Sequence, residues 1–199
     1  MHIILGIDAG NHYVKVAGER SLMKFRSNIC EWFERDIEEQ FGDDDMEFTI
    51  NNRRGYAGSI AMFEDEFGDG TRYGNTKAHD DAYTRILLAI HRYVSHFEHE
   101  ATHISLVTGQ PISRHKQDEK DTIIRSLIGH HTIDVNHMPY NITISNVAVA
   151  PEGSAAFWSI LHSVTGTIRI LDIGSGTINA ATIHDSRHIN KESDTFNFG

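Results

Sequence analysis

The chain has one cysteine, Cys30, among 199 residues. A lone thiol excludes an internal disulfide framework and suits a reducing compartment. Only three prolines are present, which argues against a disordered chain. No apolar run approaches the length of a membrane helix, about 20 residues. The apolar run near the N-terminus, Ile3 to Ile7, is too short for a signal peptide and lacks its basic flank. A soluble, cytoplasmic protein is the expectation. Basic residues are also few: 18 Lys and Arg stand against 28 Asp and Glu, a net charge of −10. That balance excludes a general affinity for nucleic acid or for an anionic membrane surface. Hydrophobic residues make up 39% of the chain, enough for a core in one large domain or two small ones.

Glycine is present where it matters. Ile170 to Ile173 is an apolar run containing Asp172, followed by Gly174-Ser175-Gly176 and a second alternating run ending at Ile183. This pattern predicts strand, tight turn, strand. The glycines let the backbone turn sharply and approach a ligand, and the N–H groups such a turn exposes can cradle phosphate oxygens. Asp172 at the mouth would repel phosphate unless a cation lay between them, and Mg²⁺ held through water is the natural one. The chain says nearly the same thing at its start. Ile3 to Ile7 predicts a buried strand, Asp8-Ala9-Gly10-Asn11-His12 a turn, and Tyr13 to Ala17 a second strand. Two hairpins with the same Asp-x-Gly order suggest two related half-sites facing one ligand. Lys15 reads either as a solvated strand residue or as a point charge for a phosphate.

Between the hairpins, apolar residues at Ile29, Trp32, Phe33, Ile37 and Phe41 predict a helix. Gly42 to Asp45 reads as a solvated acidic loop. Glu47 to Ile50 and Arg54 to Ala61 read as a hairpin joined by Asn51-Asn52, and Glu64 to Tyr73 as a surface loop. Ala78 to Phe97 is the clearest helix, with a stripe at Ala82, Ile86, Ile90, Val94 and Phe97. Fourteen histidines are scattered along the chain, including His91, His96, His99, His130, His131 and His137. Without an HExxH or paired-cysteine pattern they read as solvated side chains rather than zinc ligands. Ile104 to Val107 predicts a buried strand ended at Pro111, Ser113 to Ile128 a helix closed by Gly129, and Thr132 to Val135 and Asn141 to Ala150 strands. Pro151-Glu152 reads as an ordinary helix start, with the helix running to about Val164. Glu152 could instead orient an attacking water at the mouth of a cleft.

Taken together, an Asp-x-Gly hairpin, Pro-Glu, and an Asp-x-Gly-x-Gly-Thr hairpin resemble the actin-like ATPase superfamily, which includes actin, heat-shock chaperone ATPase domains and sugar kinases. Gly6 to Asn11 with Lys15 resembles the first phosphate loop, and Ile170 to Thr177 the second. The ParM-type plasmid-segregation group is the nearest in pattern. Tyr56 to Ala61, Lys77-Ala78-His79, Thr108 to Pro111, Val149 to Gly153 and Asn190 to Thr195 are similar to that group. The implied fold is α/β: a ribonuclease H-like actin-like domain with a mixed central sheet and flanking helices. Residues 1–165 would be domain I and residues 166–199 the start of domain II.

By this resemblance, Asp8 and Asp172 hold Mg²⁺ through waters. Gly10, Asn11, His12, Lys15, Gly174, Ser175, Gly176 and Thr177 contact the phosphates of ATP, or of GTP in its place. Glu152 positions the hydrolytic water, so Glu152, Asp8 and Asp172 form the catalytic set. Asn11 departs from the small hydroxyl residue common in that loop, although its amide can still meet a phosphate. The implied partners are further copies of the chain in a filament and a DNA-bound adaptor protein, with no direct contact to nucleic acid or membrane. Only sixteen residues follow Ile183. The second domain is therefore expected only as its first hairpin, and these residues alone are expected neither to bind ATP tightly nor to form a normal two-stranded filament. Two rival readings remain: a small-molecule kinase of the same superfamily, and a non-catalytic nucleotide-sensing or protein-binding module.

Overall fold

Alternation of apolar and polar residues builds the first sheet. The computed structural model describes residues 1–35, 40–64, 76–160 and 164–197. Strands β1 (His2–Ala9), β2 (Tyr13–Ala17) and β3 (Leu22–Arg26) form an antiparallel meander. Their inward residues Leu5, Ile7, Ala9, Val14, Val16 and Phe25 are buried. Further along come β4 (Ile29–Glu31), β5 (Met46–Ile50), β6 (Arg53–Ala57), α1 (Ser59–Glu64) and α2 (Asp80–Phe97). Then follow β7 (His103–Gln110), α3 (Gln117–Leu127), β8 (Gly129–Val135), β9 (Met138–Pro151) and α4 (Ser154–Trp158). The nine strands make one mixed sheet in the order β3-β2-β1-β7-β9-β8-β5-β6-β4. The pairs β1–β7 and β7–β9 are parallel. Helix α2 packs across β1, β2 and β8, and α3 against β9. Burying such a face is what holds an amphipathic helix in place.

A second, four-stranded sheet holds β10 (Thr167–Ile173), β11 (Thr177–His184), β12 (Arg187–His188) and β13 (Asp194–Asn197). β11 lies between β10 and β13 and carries the buried residues Asn179, Ala180, Ala181, Thr182 and Ile183. β10 is an edge strand among the described residues, and Leu171 and Ile173 on it are exposed.

Several sequence expectations change here. Ile29 to Glu31 is strand β4, because the free edge of β6 offers it a ladder, Ile29 opposite Ala57 and Glu31 opposite Gly55. Residues 32–35 are not helical. Ile37 of the expected stripe lies outside the described residues, as does the expected loop beyond Glu64. The strand expected to reach Ala61 stops at Ala57. Gly58 then takes φ +89° and α1 begins. The acidic loop is not merely solvated: Asp45 Oδ1 accepts from the Ile60 N–H at 2.7 Å, capping α1. Asp44 Oδ2 accepts from the Arg26 N–H at 3.3 Å. The strands expected to be buried over Ile3 to Ile7 and Ile104 to Val107 leave one residue each well exposed: Ile4 is 64% and Val107 40% exposed. His91 and His131 are buried rather than solvated. Their Nε2 atoms lie 2.6 Å and 2.7 Å from the carbonyl oxygens of Met138 and Leu127.

Candidate nucleotide cleft

The two glycine hairpins form one wall each of a single cleft of about 310 Å³. Asp8 lies near the end of β1 and pairs with Lys15 on β2; Asp172 lies near the end of β10 and pairs with Asn179 on β11. The two hairpins thus repeat the same register. Each glycine-containing turn is tight: a Cβ on Gly10 would stand 2.6 Å from the Tyr13 carbonyl oxygen, and one on Gly174 3.2 Å from that of Thr177. Gly174 N–H closes the second turn on the Thr177 carbonyl at 2.9 Å. The loops also approach each other. A Cβ on Gly176 would lie 3.7 Å from Asn11 Nδ2. The first loop is held from behind by the long helix. Arg85 Nε of α2 donates to the Ser27 carbonyl at 2.7 Å, and Ser27 Oγ donates to the Asn11 carbonyl at 2.6 Å.

Every residue singled out from the sequence lines this cleft: Asp8, Gly10, Asn11, His12, Lys15, Glu152, Asp172, Gly174, Ser175, Gly176 and Thr177. Glu152 arrives by a different route from the one expected. Pro151 is the last residue of β9, not the first of a helix, and it pairs with Gln110 of β7. Glu152 follows in a turn, Gly153 takes φ +82°, and α4 begins at Ser154 and ends at Trp158, well short of Val164. Glu152 therefore stands at the end of a central parallel strand, beside the end of its neighbour. Gly109 makes room for it, since a Cβ there would be 3.1 Å from Glu152 Cγ.

Two residues of the cleft escape the sequence reading. Lys77, just before α2, places Nζ 3.3 Å from Asp8 Oδ1, 3.1 Å from Glu152 Oε1 and 2.8 Å from the Ala9 carbonyl oxygen. Its backbone N–H donates to Gln110 Oε1 at 2.8 Å, and Gln110 is itself fully buried. The segment Lys77-Ala78-His79 resembles the family but does not announce a cleft residue; the fold brings Lys77 in from a distant segment. Asn179 donates from Nδ2 to Glu152 Oε2 at 2.7 Å. Its signal was available: it follows Asp172 by the spacing at which Lys15 follows Asp8.

Charge in the cleft is balanced by these contacts. Burial alone would raise the Asp8 carboxyl, but Lys77 and Lys15 override it and hold Asp8 below its ordinary value. Burial alone would lower the Lys77 ammonium, but Glu152 and Asp8 override it and hold Lys77 above its ordinary value. Lys15 Nζ reaches Asp8 Oδ2 at 3.2 Å. The place between Asp8 and Glu152 is filled by the Lys77 ammonium, which leaves Asp8 and Asp172 as the carboxylates open to a metal ion. Among the described residues no three His, Cys, Asp or Glu side chains converge to ligate a metal directly. A Mg²⁺ ion here would be held by Asp8 and Asp172 through water and by phosphate oxygens, a coordination it tolerates well. No helix among the described residues is long and apolar enough to cross a membrane.

A mixed sheet, a second smaller sheet and a glycine hairpin from each facing one cleft define an actin-like architecture. The family described as "Actin like proteins N terminal domain" matches residues 6–154, and the chain belongs to it. Among solved structures it is similar to an AlfA filament bound to AMPPNP, with 20% identity and a TM-score of 0.80, over 100% of this chain and 71% of that one. AlfA from the Bacillus subtilis plasmid pLS32, in its filament, gives 21% identity and a TM-score of 0.81 over 99% and 72%. The apo ParM protein of pSK41 gives 18% identity and 0.74 over 100% and 67%. No curated protein sequence matches the chain. At these identities the likeness concerns the fold.

Proposed function

We propose that the chain is the nucleotide-binding part of an actin-like ATPase that forms filaments, of the plasmid- or DNA-segregation type. The observation that carries this reading is the pair of Asp-x-Gly hairpins facing each other across one cleft, with Glu152 at its back. Residues 1–165 correspond in this reading to the first domain and residues 166–199 open the second. ATP, or GTP in its place, binds with its phosphates between the turns. The turns Gly10 to His12 and Gly174 to Thr177 face the phosphate oxygens and offer backbone N–H groups such as those of Ser175 and Gly176, and the Lys15 ammonium offsets the phosphate charge. Mg²⁺, held through water by Asp8 and Asp172, supplies neutralisation of charge on the phosphate oxygens. Glu152 accepts a hydrogen bond from the attacking water and orients it. Asn179 and Lys77 keep its two oxygens in place. That AlfA proteins of similar fold are seen as filaments, one of them from a plasmid, supports self-assembly as the use of this cycle. A DNA-bound adaptor is the expected second partner, since a net charge of −10 disfavours direct contact with DNA.

The test is sedimentation and phosphate release on the full-length protein, with and without ATP and Mg²⁺. Pelleting that requires ATP, followed by delayed phosphate release, is expected. Glu152→Ala should keep nucleotide binding and lower turnover by about a hundredfold or more. Turnover that needs an added hydroxyl acceptor would instead make the protein a kinase. Nucleotide binding without turnover, indifferent to Glu152→Ala, would make it a binding module.

A further inference from the structure

Lys77 is the more buried of the two lysines that line the cleft, and its charge meets two carboxylates rather than one. Its side chain is 11% exposed, against 59% for Lys15. Nζ sits between Asp8 and Glu152 and is anchored by the Ala9 carbonyl oxygen. The other oxygen of Glu152 is taken by Asn179. The main chain of Lys77 is fixed by Gln110, whose Nε2 donates in turn to Thr76 Oγ1 at 3.0 Å and Glu119 Oε2 at 2.6 Å. This network gives the ammonium one position. A surface lysine would be free to leave; this one is built into the cleft.

Asp8 and Glu152 meet at Lys77 Nζ, and Asp172 lines the same cleft without converging on that point. Left alone, such a set attracts divalent cations from solution, because opposite charges a few ångströms apart interact strongly where water is partly excluded. A metal bound there before nucleotide would be held by the protein rather than delivered with the phosphates. The ammonium offsets that attraction at its strongest point.

We infer that Lys77 is a built-in counter-ion that keeps divalent metal out of the empty cleft, so that metal enters only together with a nucleotide whose phosphates add negative charge. For its purpose this rests on the nucleotide reading of the cleft; its physical content does not. Phosphates bring acceptor oxygens that Lys77 does not satisfy, and they shift the balance in favour of the metal. Lys77 thereby sets the order of loading, and its ion pair to Glu152 holds that side chain in one orientation until loading occurs.

The experiment is a Mn²⁺ titration of the nucleotide-free chain, followed by the loss of the free Mn²⁺ signal in electron paramagnetic resonance. Wild type should bind Mn²⁺ weakly. Lys77→Met should bind it roughly tenfold more tightly or better. Lys77→Gln, which keeps a donor but not the charge, should do the same and serves if the methionine variant fails to fold. Lys77→Arg should behave as wild type. Adding Asp8→Asn to Lys77→Met should abolish the gain. If folded Lys77→Met and Lys77→Gln both bind Mn²⁺ no better than wild type, the inference is overturned. It is also overturned if the gain survives Asp8→Asn, because the metal then lies elsewhere. A parallel titration of the full-length protein with a fluorescent ATP analogue and Mg²⁺ tests the nucleotide reading separately. Failure there leaves the Mn²⁺ result to decide the role of Lys77 on its own.

Discussion

Replacing Asn179 with alanine removes three hydrogen bonds at once. Nδ2 donates to Glu152 Oε2 at 2.7 Å, while Oδ1 accepts from the Ile112 N–H at 3.3 Å and from Thr195 Oγ1 at 2.7 Å. The residue is 2% exposed, so water cannot readily replace it. Glu152 and Ile112 follow strands of the nine-stranded sheet, whereas Asn179 and Thr195 belong to the four-stranded one. The side chain is therefore a rivet between the two sheets as well as a clamp on Glu152. A hydrogen bond to a charged group contributes about 1.5–3 kcal/mol and a neutral one about 1 kcal/mol. The 3.3 Å contact is long and the Thr195 hydroxyl can turn elsewhere, so the expected loss is about 3 kcal/mol. In a chain of this size that lowers the melting temperature by about 6–12 °C. The assay is urea unfolding followed by circular dichroism, with Thr195→Val as the reference, which removes two neutral bonds, to Asn179 Oδ1 and from the Ser113 N–H at 3.1 Å, and should cost about 2 kcal/mol. If Asn179→Ala unfolds within about 0.5 kcal/mol of wild type, Asn179 does not join the sheets and the account of Glu152 loses one of its two supports.

Gly58→Ala tests the entry into α1: the new Cβ would stand 1.7 Å from the Asp44 carbonyl oxygen on a backbone at φ +89°. It should destabilise the protein by about 3 kcal/mol or more, read by the same unfolding assay, and a neutral result would mean that the Asp44 loop yields freely. His79 gives a pH dependence. Burial first, and Arg85 beside it, push the ring down to about 4. In the unfolded chain it protonates near its ordinary value of about 6.5, so between those values the unfolded state binds more protons and stability falls as pH falls. The same unprotonated Nδ1 accepts from the Ala82 N–H at 3.2 Å and caps α2. His79→Asn should keep a cap and flatten the loss of stability between pH 6.5 and about 4. Equal slopes in the two proteins would show that His79 does not carry it.

Much of the cleft was legible in the chain itself, and the reason is local. Gly10, Gly174 and Gly176 are needed by the turns they sit in, and Asp8 and Asp172 are placed by the strands that lead into those turns. Neighbours in sequence therefore carried that information. The long helix α2 was equally plain, because its apolar period is written along eighteen residues. Elsewhere local pattern misled. Ile29 to Glu31 has a helical spacing but lies in a strand, because an unpaired edge of β6 was available to it. Pro151-Glu152 has the look of a helix start, yet β9 continues through Pro151 because β7 runs alongside to Gln110. Lys77 and Gln110 lie in segments that resemble the family, but nothing local in those segments says that the two residues meet. What the sequence alone determined is which residues can turn, alternate and bear charge; which of those charges meet, Lys77 with Asp8 and Glu152 or Asn179 with Glu152, was decided only when distant strands and the helix entry converged, because a side-chain contact of this kind depends on separation in space and not on separation along the chain.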